Sequence, residues 1–391
     1  MNNEESTTVS RQAWTRWAAV ALVAVAALLF ASRTARFASD LRTLPATRDT
    51  RWYVWRSKFL TVEPPKQLVA WRGPTGTGGG GYRVGSPLLG SLLLRLTGIQ
   101  GYTLSTFFVA GAAPLLALAL AGLAFTYRRS LLLFLSVALL SGALFFANAF
   151  VGYTDNLLAL LIVVTGLSLI GRRNEKAVFA SLFVFAAFFA HPPAATVFAV
   201  AVIGGCAIGA LKRLGGPGFR SEAPVAASAA LGAIAAISFW YLGGWGFPAR
   251  FGDAIDVANV PREQFVARLI RWTAQLTPWL TVPLIVAGIV FIVLNRRRDP
   301  TDRIGTVMIL WALPVLGALG VLTGLVYPYP RFLNVTVGHV LLAGLGLWGL
   351  THVGRRALRR GRSSNQFWAI AGVVLIVLVA APLWVAGSRD W

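Results

Sequence analysis

Long apolar runs follow one another along almost the whole chain, each close to the length that crosses ~30 Å of hydrocarbon as a helix. They lie near 14–32, 102–126, 131–150, 155–171, 176–190, 194–211, 224–243, 278–295, 304–326, 332–352 and 367–387. The runs are continuous, whereas a transmembrane barrel would show short alternating strands. Helices satisfy their own backbone in lipid, so the expected fold is an all-α polytopic membrane protein with about eleven transmembrane helices. A single transmembrane domain then covers 1–391. With 56% hydrophobic and only 13% charged residues, no stretch is left for a soluble enzyme carried on an anchor. Glu4 and Glu5 flank the first run, which is longer than a signal-peptide core, so it reads as a retained helix.

The chain carries 36 Lys+Arg against 14 Asp+Glu, a formal net charge of +22. The basic residues cluster between the runs. Arg128-Arg129, Arg172-Arg173 with Lys176, Lys212-Arg213 with Arg220, Arg296-Arg297-Arg298 with Arg303, and Arg355-Arg356 with Arg359, Arg360 and Arg362 all fall on one side if the spans alternate. The opposite short loops, 152–156, 191–193 and 327–331, carry almost no positive charge. The positive-inside rule then places the N-terminus in the cytoplasm and the C-terminus outside. Topology accounts for much of the charge, and no nucleic-acid partner is needed. The strong bias to Arg, with abundant Ala and Gly, resembles GC-rich bacterial coding, which makes a bacterial plasma membrane the expected location. Cys206 is the only cysteine and can form no internal disulfide.

Two loops on the outer side are too long for simple turns, a first outer loop near 33–101 and a second near 244–277. Gly76 to Gly81 in the first reads as a flexible connector, and no Gly-Lys-Ser/Thr follows to make it a phosphate loop. Each loop has an amphipathic segment. In 50–60, Trp52, Trp55 and Phe59 share a face away from Arg51, Arg56 and Lys58; in 261–276, Phe265, Val266, Leu269, Ile270 and Thr273 form the stripe. Such segments suit interfacial helices that shape a lipid headgroup site, or helices packed on the bundle.

The acids divide between the two faces. Glu4, Glu5, Glu175, Glu222, Asp299 and Asp302 fall among cytoplasmic basic residues, where solvated pairing is expected. Asp40, Asp49, Glu63, Asp155, Asp253, Asp256, Glu263 and Asp390 fall outside. His339 is the one ionisable residue well inside a span, and hydrogen bonding within the bundle is its expected role. Neither a Cys/His metal cluster nor a nucleophile triad signature is visible. The carboxylates, Arg, Tyr and His gathered at the outer boundary could bind a phosphorylated lipid and deprotonate a hydroxyl.

Several outer segments resemble the GT-C superfamily of polytopic glycosyltransferases, which use sugars linked to polyprenyl phosphates. Asp49-Thr-Arg-Trp-Tyr53 looks like the Asp-x-x-x-Tyr segment after the first span. Tyr82-Arg83-Val84-Gly85-Ser86-Pro87-Leu88-Leu89 is similar to the family's Tyr-x-Pro-x-x-Pro-Leu stretch. Gly152-Tyr153-Thr154-Asp155-Asn156 matches the place of a second acidic site, His191-Pro192 resembles a His-Pro pair that opens a later span, and Tyr329-Pro330-Arg331 resembles a segment that contacts donor phosphate. The matches fall on one face and in family order. The chain departs from the pattern at Thr50, where an Asp-Glu pair is usual, and in having no large soluble C-terminal domain.

The resemblance implies an inverting transfer from a polyprenyl-phosphate sugar donor to a glycan, lipid or protein acceptor at the outer face. Asp49 is the expected general base, with Asp40 its rival because the family acid usually follows the first span more closely. The alternative for Asp49 is an ion pair with Arg48 or Arg51. Asp155 would orient the acceptor or help bind a divalent cation such as Mg or Mn, against a helix N-cap role. Arg331, His191, Tyr329 and Arg83 would hold the donor phosphate; for Arg331 the alternative is an interfacial anchor, and for His191 a helix cap. Two other classes stay open: a lipid or glycan transporter or flippase, and a non-catalytic GT-C-like subunit of a cell-envelope assembly.

Overall fold

The structure is a computed structural model that describes residues 48–69, 84–99, 101–149, 154–170, 178–211, 217–242, 281–296, 303–313, 328–358 and 372–380. The 14–32 span, Asp40, Arg83, the 76–81 glycine run and the 244–277 loop lie outside them. Among the described residues the chain is helical, with no strand. The helices are α1 (Arg48–Val62), α2 (Gly85–Thr97), α3 (Gly101–Tyr127), α4 (Leu131–Ala149), α5 (Thr154–Ile170), α6 (Val178–Ala190), α7 (Pro192–Leu211), α8 (Pro217–Leu242), α9 (Val282–Arg296), α10 (Arg303–Trp311), α11 (Pro328–Leu358) and α12 (372–380). Three carry stretches long and apolar enough to cross a membrane: Ala194–Leu211 in α7, Glu222–Phe239 in α8 and Thr336–Val353 in α11.

The bundle is apolar inside and out. Trp311 is fully buried against Phe198, with ring centroids 5.5 Å apart. On the outside, Leu231, Ile234 and Ile237 line α8, and Val282, Val286, Val290 and Val293 line α9. These are helical stripes facing away from the core, an arrangement that lipid accommodates and water does not. Close approach between helices relies on small residues. A side chain at Gly288 would strike the Leu342 backbone, and one at Gly346 the Leu284 carbonyl, which locks α9 against α11.

Side-chain contacts define two ends of the bundle. Val137 of α4 meets Gly344 of α11, and Arg128, just after α3, faces Phe291 of α9, which packs on Trp348 of α11. Residues 344–352 of α11 therefore lie near the α3–α4 connection. The start of α11 lies toward the other end: Gly338 meets the Trp311–Ala312 backbone, and Trp311 packs on Phe198 of α7.

The structure corrects three expectations. The 304–326 span is not a continuous helix. α10 ends at Trp311, and Ala312 shares its N–H between the Met308 and Ile309 carbonyls, each 3.2 Å away. Pro314 follows, and the residue before a proline is pushed out of helical geometry. His339 Nε2 lies 2.9 Å from the Ala312 carbonyl and satisfies it, the hydrogen-bonding role expected of that histidine. Glu222 is not solvated. It is buried and takes Arg303 Nε at 2.6 Å, because both sit where α7, α8 and α10 pack together. In α1, Arg56 is buried instead of facing solvent: Tyr53, Val54, Arg56, Ser57 and Leu60 form the inward face, while Trp55 and Phe59 are half-buried. Packing on α2 and α3 selects that face.

Candidate functional site

α2 has an inverted pattern of burial. Ser86, Pro87, Gly90 and Ser91 point inward, and Leu88, Leu89, Leu92 and Leu96 are exposed. The small inward residues let it approach its neighbours closely. It ends at Gly98, whose left-handed backbone (φ 66°) carries an N–H···O bond of 3.0 Å to the Leu94 carbonyl. Arg95 Nη2 donates to the Leu60 carbonyl at 3.2 Å and the Thr61 carbonyl at 2.5 Å, tying α2 to the last turn of α1. Val84 packs with Leu60 and Leu68 beneath Phe59 and Phe189.

The N-terminus of α2 is wedged between two other helix ends. On one side the Ser86 hydroxyl donates to Asp155 Oδ1 in a short hydrogen bond. On the other, a Cβ at Gly85 would lie 2.8 Å from Ala190 Cα and 2.9 Å from Ala190 N. Only glycine allows this seat against the end of α6. No side chain caps α2 at Val84. Asp155 is completely buried in the first turn of α5, and Asn156 beside it is buried as well. The carboxylate thus stands at the start of its own helix and, through Ser86, at the start of α2. Both helix dipoles favour its negative charge there. Asp155 is not the N-cap of α5, since the helix already includes Thr154.

His191 occupies the junction that follows Ala190 and is 1% exposed. Its Nδ1 accepts the Ala194 N–H at 3.2 Å, so the imidazole caps α7 while Pro192 takes the first helical position. An accepting Nδ1 leaves Nε2 as the protonated nitrogen of the neutral ring. The capping alternative for His191 is therefore present in the structure.

The described parts of three of the five segments quoted from the sequence are joined in this way: 84–89, 154–156 and 191–192. Tyr329 and Arg331 lie in the first turn of α11, at the same end of the bundle. Asp49 lies in the first turn of α1. At these three residues the backbone alone is described, and the described contacts do not link them to Asp155. Asp40 and Arg83 lie outside the described residues. Among the described residues, no three His, Cys, Asp or Glu side chains gather as metal ligands. Ser86 was not singled out from the sequence, although it stands inside the quoted 82–89 stretch. Its role depends on a partner 69 positions away, which no local pattern reveals.

No protein-family model and no curated protein matches the chain.

Proposed function

We propose that the chain is an integral membrane glycosyltransferase of the GT-C kind. In this reading about eleven spans cross a bacterial plasma membrane, with the N-terminus inside, the C-terminus outside and the active face outward. The acceptor hydroxyl of a glycan, lipid or protein attacks the anomeric carbon of a polyprenyl-phosphate sugar. The new C–O bond forms as the bond to phosphate breaks, the configuration inverts, and polyprenyl phosphate leaves. Asp49, or Asp40 in its place, takes the hydroxyl proton. Arg331, Tyr329, His191 and Arg83 hold the phosphate, and Asp155 orients the acceptor from its seat against Ser86. Among the described residues no three His, Cys, Asp or Glu side chains gather, so Asp155 would hold a divalent cation such as Mg or Mn only together with groups outside them.

One observation carries the proposal: the buried Ser86–Asp155 bond, with Gly85 against Ala190, gathers three of the resembling segments at a single end of the bundle. A second reading, a non-catalytic GT-C-like subunit, is favoured by the complete burial of Asp155 and the capping role of His191.

The test uses protein in lipid nanodiscs with a panel of polyprenyl-phosphate sugars and membrane-extracted acceptors, followed by mass spectrometry. Sugar transfer or slow donor hydrolysis is expected for the wild type. Loss in Asp49→Asn alone or Asp40→Asn alone, with donor binding retained, assigns the base. Donor binding with no turnover by any member of the panel, and unchanged binding in both variants, supports the non-catalytic reading.

A further inference from the structure

The opposite end of the bundle holds a guanidinium whose donors the protein leaves unfilled. Arg128 follows α3, and its guanidinium carbon lies 4.9 Å from the Tyr127 ring centre and 5.9 Å from that of Phe291. Aromatic rings attract the cation but offer no oxygen or nitrogen acceptor to its in-plane N–H groups. Nε and Nη2 of Arg128 are buried with no hydrogen-bond partner. These two nitrogens form one edge of the guanidinium, the edge that grips two oxygens of a single oxyanion. A buried charged donor pair without acceptors is costly and calls for a ligand.

The surroundings choose the ligand's charge. Arg129 is exposed next in the chain. Ser130 then opens α4, its hydroxyl accepting the Leu133 N–H at 3.4 Å and its carbonyl the Phe134 N–H at 3.0 Å. The positive end of α4, which begins at Leu131, therefore lies three residues beyond Arg128. Phe291 is backed edge-on by Trp348 at 5.1 Å, which fixes the ring facing the guanidinium.

We propose that the paired Nε/Nη2 edge of Arg128 binds a phosphate oxyanion at the end of the bundle opposite Asp155. The site is separated from Asp155 by the length of α4, ~28 Å for its 19 residues, and is independent of any glycosyl transfer. A phospholipid headgroup and free phosphate share this chemistry.

Native mass spectrometry of the full chain tests it. The wild type is compared with R128Q, R128K and R129Q, each offered phosphatidylglycerol, a phosphate-free diacyl glycolipid, or inorganic phosphate. The wild type and R129Q should retain phosphatidylglycerol or phosphate about tenfold or more better than R128Q, the range expected for a charge-assisted hydrogen-bonded pair. R128K keeps the charge but loses the paired edge, so it should also fall well below wild type while its thermal unfolding stays unchanged. Retention of phosphatidylglycerol alone identifies a lipid headgroup, and retention of inorganic phosphate identifies a soluble anion. Equal retention by wild type and R128Q, or equal retention of the phosphate-free glycolipid, overturns the proposal.

Discussion

Ser86 donates to Asp155 inside the bundle, and neither residue has access to water that could replace the other. Ser86→Ala should therefore destabilise the protein by about 1–3 kcal/mol, the cost of leaving a buried polar group short of a partner. Thermal unfolding in nanodiscs measures this, and a shift within error of wild type would remove the bond from the account of the site. The Arg303–Glu222 pair makes a sharper case. Removing one partner, as in Glu222→Ala, strands a buried charge and should cost about 3–5 kcal/mol, whereas Glu222→Leu combined with Arg303→Met should recover much of the loss. A double-mutant cycle decides between this and a pair that contributes nothing. Both interactions were hidden in the sequence for the same reason. A glutamate among arginines looks like a solvated loop charge, and a serine in an apolar helix looks neutral, until distant helices supply the partners. His339 was more legible, because an ionisable group within a span has few roles besides bonding an orphaned carbonyl.

Three helices show how prolines are read in context. α3 continues through Pro114 and α8 through Pro224, but α10 stops before Pro314. The apolar pattern is the same in all three, so hydropathy alone placed one span across 304–326. The stop is tolerated because His339 fills the Ala312 carbonyl and Gly338 lets α11 come against the Trp311–Ala312 backbone. His339→Ala should lower stability by about 1–3 kcal/mol through the orphaned carbonyl, while His339→Gln should restore part of it in the same unfolding assay. The α9–α11 contact should be less forgiving. Gly346→Leu places a side chain into the Leu284 backbone, and the expected result is loss of the folded peak in size-exclusion chromatography after extraction. A monodisperse, fully folded Gly346→Leu protein would show that α9 and α11 do not pack this closely. Helix positions were largely legible: α4 to α7 fall within about two residues of the apolar runs, whereas α8 begins well ahead of its run, at Pro217. The exposed and buried faces of α1 were not, since its aromatic stripe and its packed face differ.

At the scale of the whole molecule, several of the described buried polar groups gather toward the two ends of the bundle, while His339 is buried within a span. Asp155, Asn156 and His191 mark one end, and Glu222, Arg303 and Arg128 the other. The same apolar exterior was readable from composition, because so few charges cannot cover a chain of this size with a wetted surface. Which end faces the outside is an expectation from the basic loops alone and can be measured. In a Cys206→Ser background, which keeps a hydroxyl donor for the nearby Glu222, Gly152→Cys should react with a membrane-impermeant maleimide in intact cells and Gly171→Cys should not. The reverse labelling would invert the topology and with it the proposed active face. The outer segments themselves stand out in the sequence. How they meet depends on pairings 69 or more residues apart, which no local pattern encodes.

The seat of α2 also sets an order of events during synthesis. Two of its supports, Asp155 and Ala190, belong to helices made long after it, so while the first part of the chain emerges the segment with its outward leucines is held through α1 alone. We infer that the candidate site closes only once the polypeptide has been inserted through Ala190. Nascent chains stalled short of that point should leave 85–97 open to protease, and chains stalled beyond α7 should shield it. Equal protection at both lengths would show that α2 finds its place unaided. If the timing holds, a mutation in α6 that slows insertion would act on the site without touching any of its residues, and would surface as a defect of biogenesis in a protein whose mature fold is intact.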